Sequence, residues 1–359
     1  MDLLLVGAGH AHLHLIDQAP LLRAAGWRIR LLAPAVFHYS GVASAVAAGA
    51  LPADDGEIDV RALAAARGVP HTVGRMTGID TAARAVTADR GQALAYDVVS
   101  LNLGSEAEPD GIEVGEGVLR VKPLADLVDV GERIRAASRG PGGATVTVVG
   151  AGSSGVELAA HLSVRPDVAR VQLIEAGDQI APDLPASARR SLRRLLEHRG
   201  VDVRTGLEVA VLGSALLVPR AGVRLHHDVA ILAAGLAAPA LVGAAGLGDG
   251  RGIPVRATLQ HRDYDEMYAA GDCARFLPRP LPRVGVHGVR QGPVLLRSRL
   301  ARAAGEPPPA YEPQRRWLSI LDLGEGEALA ARGRLWWRGR SALALKRRID
   351  RRWIATYQA

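Results

Sequence analysis

The sequence has little of several features that would narrow its chemistry. Cys273 is the single cysteine among 359 residues, so no two thiols of the chain can form a disulfide or act as a redox pair. No apolar run reaches the roughly 18–20 residues that cross a bilayer, and the apolar segment 2–6 is too short for a signal peptide. These absences predict a cytoplasmic chain that is at most peripheral to the inner face of the membrane.

Charge is plentiful but unevenly distributed. The net charge is +7, and residues 275–359 alone hold 18 basic and 6 acidic side chains, a net +12. Such a surface attracts anionic lipid, an acidic partner or cofactor phosphates. A solvated or internally paired face is the favoured interpretation, with peripheral membrane contact as the alternative. No basic and aromatic pattern indicates a nucleic-acid partner.

A glycine-rich loop between a strand and a helix occurs twice, and the second occurrence is complete. Residues 150–155 satisfy Gly-x-Gly-x-x-Gly after an apolar strand. A helix that begins there offers free N–H groups and its positive dipole end to a pyrophosphate. Glu175 ends the next strand, where a carboxylate binds an adenosine ribose and repels a 2′-phosphate, which favours NADH over NADPH. The candidate residues are Gly150, Gly152, Ser153, Ser154, Gly155 and Glu175.

The first loop departs from the pattern. Gly7 and Gly9 follow the strand at residues 2–6, but His12 stands in place of the third glycine, and the second strand ends at Pro34 without an acid. The segment Tyr268-Ala-Ala-Gly271-Asp272 nevertheless supports a nucleotide, because an Asp at a strand end can bind a ribityl hydroxyl of FAD. An ordinary turn with Asp272 as a helix N-cap is the alternative.

Three histidines, His10, His12 and His14, mark the helix after this loop. We expect His10 and His12 to donate hydrogen bonds to the cofactor and His14 to pack in the helix face. No cysteine or acid joins them locally, so the sequence predicts no metal.

Two further side chains leave alternatives open. Glu157 lies one turn into the second loop's helix, where it either complements the helix dipole or lies near the contact of flavin and nicotinamide. Cys273 is interpreted as a small buried residue rather than a reactive thiol.

The two halves also share a later pattern. Asp97 and Gly104 are seven residues apart around a buried strand, as are Asp228 and Gly235. This duplication predicts an α/β fold of two Rossmann-like dinucleotide-binding domains, the second inserted in the first. The expected bounds are 1–120 with 253–305 for the FAD-binding domain, 121–252 for the NAD(P)H-binding domain, and 306–359 for a small C-terminal α+β tail.

The tail ends in a basic amphipathic helix whose apolar stripe includes Ala342, Ile349 and Trp353. Packing on the body or on a twin subunit, interfacial membrane binding, and a lid over the flavin are the three interpretations. Packing is the favoured one, and a homodimer is one form of it.

The chain resembles the two-dinucleotide flavoprotein (pyridine nucleotide-disulfide oxidoreductase) superfamily, and within it the type II NADH dehydrogenase-like group. It is most similar to the oxidoreductase module that some bacteria fuse to selenide, water dikinase. The segments that carry the likeness are Gly7–His14, Leu32–Pro34, His38–Gly41, Val121–Pro123, Gly150–Glu157, Tyr268–Asp272, Gly285–Pro293 and Leu345–Asp350.

The resemblance implies FAD in the first domain, NAD(P)H in the second and electron transfer to a small acceptor such as a quinone. It also implies that Gln291 faces the flavin pyrimidine and that Lys122 lies near the domain junction. Val42 replaces a Met of that group, which leaves the acceptor open. The remaining cofactor-site candidates are Ala11, Pro34, Tyr39, Gly104, Gly235 and His287.

The predicted function is an FAD-dependent NAD(P)H oxidoreductase in which hydride passes from NADH to flavin N5 and electrons then pass to the acceptor. Catalytic candidates are Glu157 and Gln291. A flavin-dependent oxidase or reductase of a specific metabolite, and a nucleotide-binding sensor without turnover, are the alternatives.

Overall fold

The structure is a computed structural model that describes residues 1–109, 111–138 and 142–358. Short apolar strands and helices alternate from the first residues, as the spacing of apolar residues predicts. The first part of the chain contains β1 (Asp2–Val6), α1 (His10–Asp17), α2 (Ala19–Ala24), β2 (Arg28–Ala33), β3 (Val36–His38), α3 (Ala43–Ala47), β4 (Glu57–Asp59), α4 (Val60–Ala66), β5 (His71–Val73), β6 (Met76–Asp80), β7 (Ala85–Ala88), β8 (Ala93–Ala95), β9 (Val98–Leu101), β10 (Glu106–Ala107) and β11 (Glu113–Val114).

The second part repeats the order of strand, glycine loop and helix. A 3-10 helix at Leu124–Asp129 precedes α5. The elements are β12 (Leu119–Arg120), α5 (Val130–Ala137), β13 (Ala144–Val149), α6 (Ser153–Leu162), β14 (Val168–Ile174), α7 (Ala186–His198), β15 (Asp202–Arg204), β16 (Val209–Leu212), β17 (Leu216–Pro219), β18 (Leu225–His226), β19 (Val229–Leu232) and β20 (Leu236–Ala237).

The third part returns to the first sheet and then forms the tail. A 3-10 turn at Gly271–Cys273 follows β22. The elements are α8 (Ala240–Ala244), β21 (Ile253–Val255), β22 (Met267–Ala269), β23 (Ala274–Phe276), α9 (Gly285–Ala304), β24 (Ser319–Asp322), β25 (Ala328–Arg332), β26 (Leu335–Gly339) and α10 (Arg340–Ala355).

Two parallel sheets of five strands frame the two glycine loops. Their strand orders are β22-β9-β1-β2-β5 and β12-β19-β13-β14-β15. The chain leaves the central strand, β1 or β13, in one direction and later returns on its other side. The crevice at such a reversal, outside the carboxyl ends of the strands, is where α/β sheets bind ligands. Each glycine loop lies in that crevice.

The second sheet is inserted in the chain between two parts of the first. β22 joins β9 of the first sheet although the whole second sheet lies between them in sequence. Leu119 already packs in the second core, whereas Ala238 and Val242 pack in the first. The chain thus enters the second core at Leu119, 2 residues before the predicted bound of 121, and packs again in the first core at Ala238, 14 residues before the predicted bound of 252. Those bounds remain a prediction.

The tail packs on the body of the protein. β24, β25 and β26 form an antiparallel sheet, which places Leu321, Leu323 and Leu329 in the second core. α10 covers the other face of this sheet, and Tyr357 beyond it reaches the first core. The packing interpretation of the tail therefore describes the structure. Among the described residues, no helix combines the length and apolar character needed to cross a bilayer.

We expect the tail to contribute to stability through its buried leucine. Leu329 is fully buried, whereas Leu335 on the neighbouring strand is 77% exposed. Leu329→Ala should lower the free energy of unfolding by about 3 kcal/mol, because it removes buried methyl groups and leaves a cavity. Leu335→Ala is the matched control and should change it by less than about 0.5 kcal/mol. Urea unfolding measures both, and equal effects would contradict this packing.

Candidate functional site

Asn102 organises the first glycine loop. Its side-chain oxygen accepts hydrogen bonds from the N–H groups of Ala11 (3.1 Å) and His12 (3.3 Å), and its nitrogen donates to the carbonyl of Ala270 (2.7 Å). A Cβ on Gly9 would lie 2.5 Å from the Asn102 side chain. In the described part of the chain, the N–H groups of Gly9 and His10 have no protein acceptor. Two donors at the start of α1 are thus free for an anion.

The role expected of His12 is corrected by the structure. The ring is fully buried, with Nδ1 2.6 Å from the carbonyl oxygen of Gly7 and Nε2 2.9 Å from Oγ of Ser100. Because a carbonyl only accepts, Nδ1 carries the proton and Nε2 accepts from the Ser100 hydroxyl. Burial lowers the pKa of His12 to about 4, so the ring is neutral. Both nitrogens are used inside the protein, and none is left to bind a cofactor.

Polar groups of both domains meet beside the Gly271 turn. Asp272 accepts a hydrogen bond from Oγ of Ser105 (3.0 Å) and lies 3.6 Å from Nζ of Lys122. Gln291 is 2% exposed, and its side-chain oxygen accepts from the N–H of Gly271 (2.7 Å). Gln291 therefore positions the turn that carries Asp272 instead of facing open space. Lys122, which follows β12 of the second sheet, thus lies close to Asp272, which follows β22 of the first sheet.

His10 is packed among aromatic rings from the tail and from the strand after Pro34. Its ring centroid is 5.0 Å from that of Trp353 and 5.1 Å from that of Phe37. Burial, and then the charge of Lys122, lower the pKa of His10 to about 4. Tyr39 stacks on Trp353 at 4.5 Å and donates a hydrogen bond to Asp350 at 2.9 Å. An aromatic wall thus lies directly after the first loop.

The second loop has the close packing that its glycines predict. A Cβ on Gly155 would lie 1.9 Å from the carbonyl oxygen of Gly150, which itself has a φ of +103°. A Cβ on Gly152 would meet nothing within 4 Å, so the loop borders open space. Among the described residues, the N–H groups of Ser153 and Ser154 have no protein acceptor. They start α6 and can bind a pyrophosphate.

Glu175 lies beside this loop at the end of β14. Its carboxylate accepts hydrogen bonds from the N–H groups of Ala151 (2.7 Å) and Gly177 (2.9 Å). Each carboxylate oxygen keeps a lone pair for another donor. The negative charge is therefore held next to the helix start, where a ribose hydroxyl would approach.

Glu157 connects the second loop's helix with the tail. Its Oε1 accepts the N–H of Asp322 at 2.7 Å. Burial raises the pKa of Glu157 to about 7, although Lys346 and the Asp322 hydrogen bond oppose this. Lys346 donates to Asp350 (2.8 Å) and to the carbonyl of Gly41. The Glu157 side chain is thus directed to the tail, within electrostatic reach of a buried lysine.

The remaining candidates differ in what surrounds them. Gly104 has a φ of +79° and open space beside it, whereas a Cβ on Gly235 would lie 2.3 Å from Pro109. His287 is buried, with Nδ1 2.8 Å from the hydroxyl of Tyr311. Burial raises the pKa of the Cys273 thiol to about 11, so it stays protonated at neutral pH. Pro34 and Ala11 lie at the end of β2 and in the first turn of α1.

Three further residues of the site, Asn102, Asp350 and Lys346, are not among the site residues predicted from the sequence. Asn102 lies between Asp97 and Gly104 in the repeated pattern, and a polar residue at the carboxyl end of a buried strand was an available signal. Asp350 and Lys346 are four residues apart on α10, which is an ordinary surface pairing. Only the tertiary fold shows that they are buried against Tyr39 and Gly41.

These features define a class of protein with two dinucleotide sites, one at each sheet reversal. The first site offers free N–H groups, the carboxylate of Asp272 and open space at Gly104, which fit a flavin dinucleotide. The second offers free N–H groups and Glu175, which fit NADH. The sequence model of the pyridine nucleotide-disulphide oxidoreductase family matches residues 1–292, and the chain belongs to that family. This confirms the predicted superfamily and class of enzyme.

Relatives and solved structures agree with the family. An NADH dehydrogenase-like protein of Mycobacterium tuberculosis is 30% identical over 230 residues, 58% of this chain and 56% of that protein. The chain thus matches little more than half of that relative's length. A type II NADH:quinone oxidoreductase of Staphylococcus saprophyticus is 24% identical over 80% of this chain and 79% of its own.

Two solved structures share the fold across nearly the whole chain. NDH2 of Plasmodium falciparum in complex with NADH covers 99% of this chain and 97% of its own, with a TM-score of 0.81 and 12% identity. The sulfide:quinone oxidoreductase of Aquifex aeolicus covers 98% and 90%, with a TM-score of 0.83 and 15% identity. The predicted fold class is thereby confirmed, and the family supports FAD and NADH as cofactors, as predicted.

The raised pKa of Glu157 predicts a pH-dependent stability. A carboxyl whose pKa is about 7 when folded and 4.5 when unfolded binds its proton more tightly in the folded state. Its contribution is full below pH 4.5 and is lost as the pH rises to 7. The free energy of unfolding of the wild type, relative to Glu157→Gln, should fall by about 2–3 kcal/mol from pH 5 to 8.

Urea unfolding at several pH values measures this difference. Glu306→Gln is the control, because Glu306 is an exposed carboxylate at the start of the tail. It should run parallel to the wild type across the range. A Glu157→Gln curve that also runs parallel would show that Glu157 is ionised throughout.

Proposed function

We propose that the protein is an FAD-dependent NADH dehydrogenase that takes hydride from NADH and passes electrons to a quinone-like or other small acceptor. The observation that carries this proposal is the pair of glycine loops. Each lies at the reversal of a five-stranded parallel sheet and ends in helix N–H groups without a protein acceptor. One nucleotide at each loop is the arrangement that hydride transfer between two dinucleotides needs.

The residues of the chain would bind and orient the two dinucleotides. FAD, when bound, supplies the chemistry of accepting hydride and passing electrons onward. The free N–H groups of Gly9 and His10 would bind its diphosphate, and Asp272 its ribityl chain. Lys122, 3.6 Å from Asp272, would bring a positive charge to the junction of the two domains. The aromatic wall of His10, Tyr39 and Trp353 would exclude water from that side.

NADH is proposed as the donor in preference to NADPH because of Glu175. Its carboxylate is fixed by two backbone N–H groups at the ribose position of the second loop. Two hydroxyls of a ribose can donate to it, whereas a 2′-phosphate would be repelled.

A quinone is the favoured acceptor within this proposal. Support comes from the name of the Staphylococcus saprophyticus relative, a type II NADH:quinone oxidoreductase. A disulfide acceptor within the chain is not available, since the lone Cys273 is a buried thiol. The closer likeness to the module fused to selenide, water dikinase stays a prediction.

An anaerobic visible spectrum tests the proposal first. The purified protein should show oxidised flavin bands that bleach on addition of NADH, and more slowly with NADPH. Addition of a soluble quinone should restore the bands. A protein that neither carries nor takes up FAD would overturn the proposal and favour a nucleotide sensor. Bands that bleach but return only with another oxidant would keep the dehydrogenase and exclude the quinone.

A variant of the second loop tests the nucleotide preference. Glu175→Ala should raise the KM for NADH by roughly 10- to 100-fold, because charge-assisted hydrogen bonds to the ribose are lost. The KM for NADPH should rise less, so the variant should prefer NADH over NADPH less strongly than the wild type does. Asp178→Ala removes an exposed acid three residues further on and is the control. If the ratio of the KM for NADH to the KM for NADPH is unchanged in Glu175→Ala, Glu175 does not set the nucleotide preference.

We also propose that the exposed face of α10 makes peripheral contact with an anionic membrane. Arg347, Arg348 and Arg351 line a groove of about 700 Å³ with Arg340, and in the described residues none of the four has an ion-pair partner. The acidic member of the groove, Glu325, is already paired with Arg199 at 2.8 Å. Two copies that associate through this tail, as a homodimer, are the competing proposal.

Liposome co-sedimentation tests the membrane proposal. Glutamine at positions 347, 348 and 351 should abolish binding to vesicles that contain anionic lipid, with bleaching by NADH unchanged. The control is a variant with glutamine at the exposed Arg61, Arg90 and Arg224, which lie outside the tail. Equal loss in both triple variants would show only an effect of net charge. Loss of a dimer in light scattering would instead favour the twin-subunit contact.

A further inference from the structure

Among the described residues, Arg299 is a buried cation without a counter-ion. It lies on α9, is 0% exposed, and its guanidinium carbon is 3.4 Å from the ring centroid of Tyr268. All three guanidinium nitrogens lack a hydrogen-bond acceptor among the described residues. A buried charge is costly unless something compensates it, and stacking on one aromatic ring compensates only part.

A chain of buried polar groups leads from Arg299 to the first glycine loop. Tyr268 of β22 lies opposite Ser100 of β9 in the parallel register. Ser100 lies 2.9 Å from His12, which lies 2.6 Å from the carbonyl oxygen of Gly7. The guanidinium is therefore on the same face of the sheet as the loop and beneath it.

The direction of α9 points the Arg299 side chain toward the carboxyl edge of the first sheet, where the first glycine loop lies. A Cβ on Gly285 or Gly288 would approach His10, and one on Gly292 would approach His14. α9 and α1 thus run parallel, and both begin at the carboxyl edge of the sheet. Helical side chains lean toward the helix N-terminus, so the guanidinium leans toward the nucleotide site.

Among the described residues, the side chains packed around Arg299 include no carboxylate. Tyr268 contributes its aromatic ring, and His12 is a neutral imidazole as described above. Arg302 on the same helix adds a further positive charge. The uncompensated charge therefore acts on whatever anion comes nearest, through a dry core in which salt screens weakly.

We propose that Arg299 is a buried counter-charge for the diphosphate of the dinucleotide at the first glycine loop. It does not touch the diphosphate, so it is a positioning residue that acts through the core. The two charges stabilise each other only when the dinucleotide is bound. This explains why an arginine that has no hydrogen-bond acceptor among the described residues is buried beneath the loop. The inference depends on FAD at the first loop and not on the identity of the acceptor.

Release of FAD from the holoprotein tests the proposal. The rate is followed after dilution by the rise in fluorescence of the free flavin. Arg299→Met and Arg299→Gln should release FAD roughly tenfold faster than the wild type, and Arg299→Lys should stay within about twofold. Arg297→Met is the matched control, since Arg297 is exposed on the same helix and its loss changes the net charge equally. It should release FAD at the wild-type rate.

The charge series separates an electrostatic role from a packing role. If Arg299→Lys releases FAD as fast as Arg299→Met, the shape of the guanidinium matters and the proposal fails. Unchanged release in all variants also overturns it. Thermal unfolding of each flavin-free variant identifies a general loss of stability. If FAD release is faster in Arg299→Lys, Arg299→Met and Arg299→Gln alike, in proportion to a lower Tm in each, the proposal fails.

Discussion

The first nucleotide site depends on one side chain, Asn102, at the end of a central strand. At three glycines of the site, a side chain would clash with the Asn102 side chain or with its backbone carbonyl. A Cβ on Gly9 or Gly271 would lie 2.5 or 2.6 Å from its amide, and one on Gly7 would lie 2.4 Å from its carbonyl oxygen. The amide ties the start of α1 to the end of β22, which brings the loop and Asp272 together. The backbone donors left over among the described residues are the N–H groups of Gly9 and His10.

The tail holds the two domains together because it packs in the hydrophobic cores of both. Tyr357 contributes to the first core and Leu329 to the second, so one segment is buried in both. Polar contacts reinforce this, since Asp350 accepts from Tyr39 of the first domain while Asp322 donates its N–H to Glu157 of the second. A domain interface fixed in this way is less free to move than one held by a linker alone. The distance between the two nucleotide sites is thereby restrained.

The sequence predicts what is encoded locally. Strands, glycine loops and helix starts occupy consecutive residues, and the periodicity that marks them is visible without the fold. The two sheets and the insertion follow from these local signals, whereas the family was recognised by resemblance. Glu175 and Asp272 could also be selected from the sequence, because each stands at a fixed position relative to a strand end. Their roles in ligand binding stay predictions.

What the sequence does not predict arises from residues far apart in the chain. Asn102 contacts Ala270 across 168 residues, and Tyr39 contacts Asp350 across 311. No periodicity marks such pairs. The error over His12 has the same origin, because its partner Ser100 is 88 residues away. A polar residue at a helix start can equally face a ligand or the core, and only packing decides.

The two loops show two solutions to one steric problem. In the second loop, a Cβ added to Gly155 would lie 1.9 Å from the carbonyl oxygen of Gly150, so only glycine fits at this position. In the first, the corresponding residue is His12, and the corresponding carbonyl, that of Gly7, accepts a hydrogen bond from its ring. The side chain turns inward, where Ser100 satisfies its other nitrogen. The position that must be glycine in the second loop is thus occupied in the first loop by His12, whose side chain contacts the loop from the core side. Among the described residues, both loops still have N–H groups without a protein acceptor on their outer surface, those of Gly9 and His10 in the first loop and of Ser153 and Ser154 in the second. The departure from the glycine pattern therefore alters how the first loop is supported and still leaves it with backbone donors for a ligand.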